Sequence, residues 1–310
     1  MPAAEQYLGC LVGLAVGDAL GYPVEGMSLR QIHQKYGPLG LGDFASRHGH
    51  PPGSYSDDTQ LTLAVARALL EAGDKSVDEL MQAMARQFLA WYQSSDSARG
   101  PGLSTLAACA NLARGVAWNE SGIRDAKGCG AAMRVAPLAL YFCRDREKLR
   151  HVAEQSALIT HAHPIAVAAA VVNACAVAHV LEKEPVDELL DNLLRVAAPL
   201  STEMEAALRK LKQCQGSDPP AAFAQIGETG SGDHVVASGL FCFLRTAEDY
   251  RASVLAGVNC SGDSDSIAAV AGALSGAYNG ISAIPERWSR GVENRSELER
   301  VARELFSHAT

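Results

Sequence analysis

The sequence has no excess of positive charge, and this absence excludes one broad class of function. Its 310 residues include 27 Lys and Arg against 35 Asp and Glu, which gives a formal net charge of −8 at pH 7. General nucleic-acid binders need clustered Lys and Arg to contact phosphates, so we expect no nucleic-acid partner. The charge is still compatible with a nucleotide-sized anion, because backbone N–H groups can hold such an anion without basic side chains.

Closely spaced cysteines are also missing. Consecutive cysteines among the eight are at least 14 residues apart, so the chain has no CxxC metal or redox motif. Most lie in apolar stretches of helical pattern, where Cys behaves as a small hydrophobic residue. The first ten residues, MPAAEQYLGC, have no basic stretch before an apolar core, so we expect no secretory signal. We therefore expect a reducing, cytoplasmic setting with free thiols.

A membrane span and β-strands are not indicated either. The most apolar run, residues 165–181, is about one turn shorter than a comfortable span and contains Asn173 and His179. We interpret it as a buried helix and expect no membrane partner. Alternating strand patterns and hairpin signals flanked by β-branched residues are absent. The common nucleotide-loop, serine-hydrolase and zinc-protease motifs do not occur.

What the sequence does contain is a series of helical patterns. Apolar residues recur with helical spacing in seven further segments, and Ala, the strongest helix former, is abundant. The predicted helices cover residues 59–73, 77–92, 131–143, 147–159, 186–197, 203–214 and 253–258. Glycine and proline cluster between them, and no composition break, long linker or tandem repeat divides the chain. These features predict an all-α protein with a single domain over residues 1–310.

Small residues recur at every fourth position in two segments. The two stripes are Gly9, Gly13, Gly17 and Gly21, and Ala268, Gly272, Gly276 and Gly280. A glycine inside a helix costs roughly 1 kcal/mol relative to alanine, so such stripes are tolerated where another element must approach closely. We interpret them as helix–helix contact surfaces. Both lie beside acidic segments, which their packing could bring together.

The acidic segments are two short motifs, each directly before a predicted helix. They read SDDT at residues 56–59 and GDSDS at residues 262–266. A single Asp or Ser at such a position is an ordinary N-cap at the positive end of a helix dipole. Each motif instead has two carboxylates and flanking hydroxyls, which is more than capping requires. Taken alone, either motif is compatible with capping as well as with ligand binding.

Considered as a pair, the two motifs predict a cation site. Carboxylates 4 Å apart repel by about 4 kcal/mol per pair at an effective dielectric near 20, so convergence of four requires cations. Carboxylate and hydroxyl oxygens suit Mg²⁺, Mn²⁺ or Ca²⁺, whereas zinc favours His or Cys. A pair of such ions can clamp substrate oxygens and lower the pKa of a bound water. The prediction requires that segments about 200 residues apart meet in space.

Five segments resemble motifs of one known family, the ADP-ribosylglycohydrolases. They are GLAVGDALGYPVE at 13–25, SDDT at 56–59, GCGAAMR at 128–134, ITHAHP at 159–164 and GDSDS at 262–266. The segments occur in the family's order, and the resemblance extends from Gly9 to Trp288. The family includes the dinitrogenase-reductase-activating glycohydrolase and the hydrolases of ADP-ribosylarginine and ADP-ribosylserine.

The resemblance implies a fold and an activity. The implied fold is the family's compact orthogonal helical bundle, with two Mg²⁺ or Mn²⁺ ions at the base of a cleft. The implied activity is metal-dependent hydrolysis of the glycosidic bond between ADP-ribose and a protein side chain, with arginine favoured. The partners would be an ADP-ribosylated protein and the product ADP-ribose. The alternatives are O-linked ADP-ribose on Ser or Thr, another ADP-ribosyl compound, or a non-catalytic ADP-ribose-binding relative.

The resemblance also assigns residues to the site. The metal ligands would be Ser56, Asp57, Asp58, Asp263, Asp265 and Ser266. The catalytic carboxylates would be Asp57, Glu25 and Asp265, with Glu25 on a mobile loop over the site. The substrate-binding residues would be Asp96, Gly102, Gly128, Cys129, Gly130 and His161. For Asp18 two interpretations stay open, a carboxylate supporting the metal ligands and a satisfied polar group at a helix end, and we favour the first.

Several positions depart from the family's pattern. Ser264 and Ser266 replace the threonines of a GDTDT-like loop, and a Ser hydroxyl can still bind Mg²⁺. Cys129 stands where Asn is common, and Ala126 and Lys127 replace residues found in serine-type members. These departures bear on linkage specificity and on phosphate binding.

Overall fold

The computed structural model describes residues 2–309, and over this range the chain is helical without a β-strand. The sixteen α-helices of this range are α1 Ala4–Gly21, α2 Leu29–Tyr36, α3 Asp57–Ala72, α4 Val77–Tyr92, α5 Leu103–Ala113, α6 Ala136–Phe142, α7 Arg146–Leu158, α8 Pro164–Leu181, α9 Val186–Ala197, α10 Thr202–Cys214, α11 Pro219–Ile226, α12 Gly232–Arg245, α13 Tyr250–Val258, α14 Ser264–Asn279, α15 Glu286–Gly291 and α16 Arg295–Ala309. Short 3₁₀ turns cover Tyr22–Val24, Ser95–Ala98, Cys129–Ala131 and Ile281–Ala283. The predicted all-α class is confirmed.

Local capping explains where several helices begin. Ser76 caps α4 by accepting a hydrogen bond from the Glu79 N–H, and α4 has the predicted bounds. The bounds of α9 are also as predicted, and those of α3, α7 and α10 differ by no more than two residues. Helix α13 begins at Tyr250 rather than at 253, because Asp249 accepts a hydrogen bond from the Ala252 N–H and caps it earlier.

The prediction of one continuous helix over residues 131–143 is wrong. The structure has a 3₁₀ turn at Cys129–Ala131 and a separate helix α6 from Ala136. Pro137 lies in the first turn of α6, where its missing N–H is tolerated, and it cannot continue an earlier helix. Between the two elements the fully buried Arg134 donates back to the Gly130 carbonyl at 2.7 Å. This bond favours the break in the helix.

Helices α1 and α14 pack antiparallel with their backbones in contact. A Cβ added to Gly17 would lie 2.1 Å from the Ala268 carbonyl oxygen. A Cβ added to Gly9 would lie 2.2 Å from the Gly276 carbonyl oxygen, near the other end of the pair. Two helix backbones can approach this closely only where no side chain lies between them. The interpretation of the two stripes as helix–helix contact surfaces is confirmed.

The core is built around the most apolar helices. Two segments, Ala4–Val24 and Pro164–Leu181, are long and apolar enough to cross a membrane by length and composition, and 100% and 89% of their most apolar windows are buried. Most of their apolar side chains belong to one hydrophobic core cluster within the described residues. We conclude that both are core helices of the bundle, as predicted for residues 165–181.

Candidate active site

The carboxyl-terminal end of α1 holds the first acidic motif. Asp18, fully buried near this end, accepts hydrogen bonds from the Ser56 N–H at 2.9 Å and the Thr59 N–H at 3.0 Å. Its Oδ2 also accepts the Thr59 hydroxyl at 2.6 Å. Both residues belong to the SDDT motif at the start of α3. Asp18 therefore fixes the backbone that presents Asp57 and Asp58, which fits the role favoured from the sequence.

The same end of α1 holds the second acidic motif. A Cβ added to Gly21 would lie 2.4 Å from the Asp265 Cα, so no side chain separates the two backbones. The Ser264 hydroxyl donates to the Gly21 carbonyl at 3.1 Å. One helix end thus fixes the position of two motifs that are far apart in the sequence.

Both motifs face a single cavity of about 320 Å³. Its lining contains carboxylates from three segments of the chain, two glycine-rich loops and the start of α5. The lining residues are Glu25, Asp57, Asp58, Gly100, Gly102, Leu103, Ser104, Thr105, Gly128, Cys129, Gly130, Met133, His161, Gly230, Asp263, Asp265 and Ser266. The spatial convergence that the cation prediction required is therefore present.

The electrostatics of the cavity reflect crowded, uncompensated carboxylates. Burial raises the pKa of Asp57, Asp58 and Asp265 well above the usual range, and neighbouring carboxylates raise it further. For Asp265 the charge contributions come first from Glu25 and then from Asp58. Anionic groups held this close favour a bound cation or a bound proton.

Two of these oxygens have no hydrogen-bond donor. Asp58 Oδ2 and Asp265 Oδ1 are buried without a partner among the described residues. Unpaired buried oxygens are costly, and a hard divalent cation is the ligand that would satisfy them. No three Asp, Glu, His or Cys side chains of residues 2–309 already surround one point as a closed ligand set. The donor chemistry of these oxygens fits Mg²⁺ or Mn²⁺.

Glu25 faces the cavity from the loop after α1 and is held by Arg47. Arg47 Nη2 lies 3.1 Å from Glu25 Oε2, and Arg47 Nη1 donates to the Glu25 carbonyl at 3.1 Å. Burial raises the pKa of Glu25 to about 7, while Arg47 opposes the shift. The Gly26 N–H donates to the Gly262 carbonyl at 2.7 Å, so this loop is tied to the second acidic motif.

Sequence reasoning missed Arg47. It lies in a glycine-rich loop between helices, where no periodicity or motif distinguishes it from other surface arginines. In the structure its guanidinium also lies over the Tyr22 ring, 4.7 Å from the centroid. Only the fold brings this loop beside Glu25.

Cys129 contacts the second acidic motif across the cavity. Its thiol donates to Asp263 Oδ2 at 3.3 Å and lies 3.5 Å from the Ser266 hydroxyl. Burial raises the pKa of the thiol well above its usual range, and the charge of Asp263 raises it further. Cys129 is therefore a neutral hydrogen-bond donor at this site rather than a thiolate.

His161 lies behind the glycine-rich loop. A Cβ added to Gly130 would lie 2.7 Å from His161 Cε1, so only glycine fits there. His161 Nδ1 shares a hydrogen bond of 2.8 Å with the Thr160 hydroxyl, which also accepts from Arg134 at 2.8 Å. Burial, with a smaller effect of Arg134, lowers the pKa of His161 to about 3. His161 is therefore a neutral imidazole at neutral pH.

The start of α5 supplies backbone donors on another wall. Gly102 is the N-cap residue, and within the described chain no side chain caps this helix. Leu103, Ser104 and Thr105, the first residues of the helix, line the cavity. The unpaired N–H groups of a helix start and its positive dipole end suit a negatively charged ligand group.

Most of the predicted site residues line this cavity. They are Glu25, Asp57, Asp58, Gly102, Gly128, Cys129, Gly130, His161, Asp263, Asp265 and Ser266. Ser56 does not line it, because its hydroxyl accepts the Asp58 N–H at 3.2 Å as the N-cap of α3. A metal-binding role for Ser56 stays a prediction.

Asp96 does not line the acidic cavity, and its substrate-binding role stays a prediction. This residue lies in the 3₁₀ turn Ser95–Ala98 and lines a different cavity, beside Gln60 and Trp91. Its side chain is 60% exposed and lies 4.0 Å from Arg99. Ser94 caps the turn by accepting the Asp96 N–H, which fixes the turn outside the acidic cavity.

Comparison with known proteins identifies the family. The profile described as ADP-ribosylglycohydrolase matches residues 1–310. An uncharacterized protein of Archaeoglobus fulgidus is 34% identical, covering 97% of this chain and 96% of its own length. A solved structure described as an ADP-ribosylglycohydrolase-related protein complex superimposes with a TM-score of 0.81 at 30% identity, covering 99% of both chains.

Two characterised relatives carry enzyme names. ADP-ribosylhydrolase ARH3 of Bos taurus is 25% identical, covering 97% of this chain and 92% of its own. ADP-ribosylarginine hydrolase Tri1 of Serratia proteamaculans is 23% identical, covering 96% and 78%. With the family match over the whole chain and the shared fold, these similarities show that this chain belongs to the ADP-ribosylglycohydrolase family of hydrolases.

Proposed function

We propose that this enzyme hydrolyses the glycosidic bond that links ADP-ribose to a protein side chain, with arginine as the favoured acceptor and with Mg²⁺ or Mn²⁺ as the cofactor. The observation that carries the proposal is the meeting of Asp57, Asp58, Asp263 and Asp265 in one cavity. Two of their buried oxygens lack a hydrogen-bond donor, as expected of oxygens that bind a cation.

The proposed metal ligands come from both acidic motifs. Asp57 and Asp58 would contribute from the start of α3, and Asp263, Asp265 and Ser266 from the start of α14. When bound, two divalent ions supply Lewis-acid polarisation of the ribose hydroxyl groups and of the attacking water. The number of ions and the choice between Mg²⁺ and Mn²⁺ belong to the proposal.

The chain's own carboxylates would accept the proton that the attacking water loses. Hydrolysis at the anomeric carbon passes through an oxocarbenium-like state, and the attacking water must lose a proton. Glu25 Oε2 and Asp57 Oδ1 lie 3.6 and 3.7 Å from one point, the position of a Cβ on Gly100. Two carboxylates that flank the same corner of the cavity can share this task. We assign proton acceptance to Asp57 or Glu25, and orientation of the reacting ribose to Asp265.

The glycine-rich walls suit the diphosphate of ADP-ribose. The start of α5 presents uncapped N–H groups to the cavity, and the loop at Gly128–Gly130 leaves room for close backbone approach. Neutral His161 lies against this loop and adds no positive charge. Backbone groups are the appropriate donors here, because the cavity has few basic side chains near its carboxylates.

Arginine is favoured as the acceptor by one of the comparisons. The Tri1 relative is named an ADP-ribosylarginine hydrolase and aligns over 96% of this chain. The alternative acceptors, Ser and Thr, would present a neutral oxygen at the same position.

The test is a panel of ADP-ribosylated substrates. Release of ADP-ribose from arginine-linked and serine-linked substrates is measured by chromatography, with EDTA and after re-addition of Mg²⁺ or Mn²⁺. We expect release from the arginine linkage that EDTA abolishes and metal restores. Asp57→Asn and Asp265→Asn should each abolish turnover.

Three outcomes would contradict the proposal. Full activity in EDTA would reject the metal requirement. Activity on serine-linked substrates alone would reject the arginine preference. Wild-type rates from Asp57→Asn or Asp265→Asn would reject the assigned mechanism, and Asp191→Asn, an exposed surface change, serves as the matched control.

A further inference from the structure

A second cavity, of about 430 Å³, lies between α7, α8 and α9. It is lined by the buried residues Cys175 and His179 of α8, and His179 is in the last turn of that helix. His163 caps the other end of α8, close to His161 and the acidic cavity. At 1.5 Å per residue the two helix ends are about 24 Å apart, so this cavity is separate from the active site.

The second cavity is positively charged in an acidic protein. Arg146 and Arg150 line it from α7 and Arg195 lines it from α9, against the single carboxylate of Glu184. That carboxylate is already engaged, because it pairs with Arg146 and lies 2.9 Å from His179 Nδ1. The lining therefore contains more positive charge than its own carboxylate can neutralise.

Two of the arginines are exposed and form no salt bridge within the described residues. Neither Arg150 nor Arg195 forms an ion pair within residues 2–309, and Arg195 donates to the neutral side chain of Asn192. Both guanidinium groups nevertheless line the same cavity, from helices on different sides of it. Like charges that line one cavity repel, and a bound anion removes that repulsion.

A smaller cavity of about 130 Å³ shares these two arginines. Its other lining is mainly apolar and includes Val196 and Leu200. Glu154 is its carboxylate, and it forms no ion pair with Arg150 or Arg195 in the described structure. The two arginines therefore lie between the polar second cavity and this smaller, apolar cavity. This arrangement fits a ligand that has an anionic group and a less polar portion.

We propose that this arginine cavity is a second binding site, for a small molecule that carries a phosphate group. Guanidinium groups match phosphate oxygens with paired N–H donors, and two of them from separate helices can hold one phosphate. The volume fits a mononucleotide or a phosphorylated metabolite of similar size. The ligand would join α7 to α9 across α8, at the end of the bundle remote from catalysis.

The test uses isothermal titration of the full chain with AMP, inorganic phosphate and adenosine at one ionic strength. The variant Arg150→Gln/Arg195→Gln removes both unpaired guanidinium groups. The control Arg209→Gln/Arg303→Gln removes the same charge from two exposed helical arginines, each paired with a glutamate one turn earlier. None of these four residues lines the acidic cavity, so any binding there is common to all three proteins.

We expect wild type and control to bind AMP and phosphate, and we expect the cavity variant to bind both with an affinity at least about ten-fold lower. Adenosine should bind none of them at this site. Tighter binding of AMP than of phosphate would identify a nucleotide-type ligand, and equal binding would identify the phosphate group alone. Unchanged affinity in the cavity variant, or no binding by wild type at millimolar concentrations, would overturn the proposal.

Discussion

Asp18 accepts both polar hydrogens of Thr59, the backbone N–H at 3.0 Å and the hydroxyl at 2.6 Å. This pair joins the end of α1 to the start of α3 inside the core, with no water-exposed atom of Asp18. Because Asp18 also accepts the Ser56 N–H, the whole SDDT motif is oriented by one carboxylate. The fold therefore fixes the two proposed metal ligands between Ser56 and Thr59 before any ion binds.

Asp18→Asn should weaken metal binding without removing a proposed ligand. An amide nitrogen in place of Oδ1 or Oδ2 would face a backbone N–H, leaving a buried donor unpaired at a cost of about 1–3 kcal/mol. We expect a lower free energy of unfolding and weaker Mg²⁺ binding, measured by urea denaturation and calorimetric titration. Asp191→Asn, at an exposed ion pair, is the control, and equal Mg²⁺ affinity in both variants would show that Asp18 does not position the motif.

Gly17→Ala should destabilise the fold strongly. Its new Cβ would lie 2.1 Å from the Ala268 carbonyl oxygen, so α1 and α14 must separate. Overpacking of this kind costs typically 1–3 kcal/mol or more, and the separation would also spread the two acidic motifs. The control is Gly216→Ala, where a Cβ meets no atom within 4 Å. Thermal unfolding measures the difference, and equal midpoints for the two variants would be evidence against backbone contact.

Asp58→Asn should stabilise the metal-free protein while abolishing its stabilisation by Mg²⁺. The pKa of Asp58 is raised in the folded state, first by burial and then by Asp18 and Asp57, so the native state binds the proton more tightly than the unfolded chain does. The contribution of this group to stability is therefore lost as pH rises from the ordinary carboxyl pKa. An uncharged Asn at this position avoids that fall in the free energy of unfolding, so the variant is more stable than wild type at neutral pH.

The measurement for Asp58→Asn is the melting temperature in EDTA and in Mg²⁺ at pH 8. Wild type should melt lower than the variant in EDTA and should gain more from Mg²⁺. A lower pH should reduce the gain of wild type, because protons and cations compete for the same oxygens. A variant that melts below wild type in EDTA would contradict the assignment of Asp58 as an uncompensated buried charge.

His161 should make the fold sensitive to acid. Its pKa is about 3 in the folded state, well below the ordinary value of 6.5, because burial disfavours the charged ring. The unfolded chain therefore takes up a proton that the native state does not, and stability falls as pH decreases from 6.5 towards 3. The slope for one proton is about 1.4 kcal/mol per pH unit.

His161→Asn removes this acid-sensitive group and keeps a polar side chain near Thr160. We expect the variant to be less stable than wild type at pH 7 and to lose less stability between pH 6.5 and 4. Urea denaturation across this range measures both slopes, with exposed His33→Asn as the control. Parallel curves for wild type and His161→Asn would show that the imidazole titrates normally in the fold.

The sequence predicted the helical class because capping residues and apolar periodicity are local signals. For the same reason it predicted, to within two residues, the bounds of α3, α4, α7, α8, α9 and α10. Ser76 and Glu79 form a capping box that the sequence displays directly, and α4 begins where they place it. The break before α6 has a local signal in Pro137, which the prediction of one helix over residues 131–143 overlooked, and a second cause in buried Arg134, which donates to distant Thr160. No local pattern shows that an arginine within an apolar segment faces inward.

The site was predictable to the extent that its residues occur in motifs. The acidic motifs and glycine loops are visible in the sequence, and eleven of the predicted residues line the cavity. Arg47, which pairs with Glu25, and Thr105, which lines the cavity, were missed, because loop folding and helix packing position them without a motif of their own. Asp96 lies outside the cavity, because sequence proximity to the Gly100–Gly102 loop does not determine which side of that loop a short turn occupies.

The contact between α1 and α14 has a consequence for how this site tolerates mutation. Where Gly17 meets Ala268 and Gly21 meets Asp265, backbone touches backbone. The van der Waals radii of main-chain atoms therefore set the position of the second acidic motif against α1, while hydrogen bonds to Asp18 set the position of the first. Substitutions in the surrounding loops leave these main-chain contacts unchanged. The loops can therefore vary, and with them the choice of substrate, while the acidic motif keeps its position.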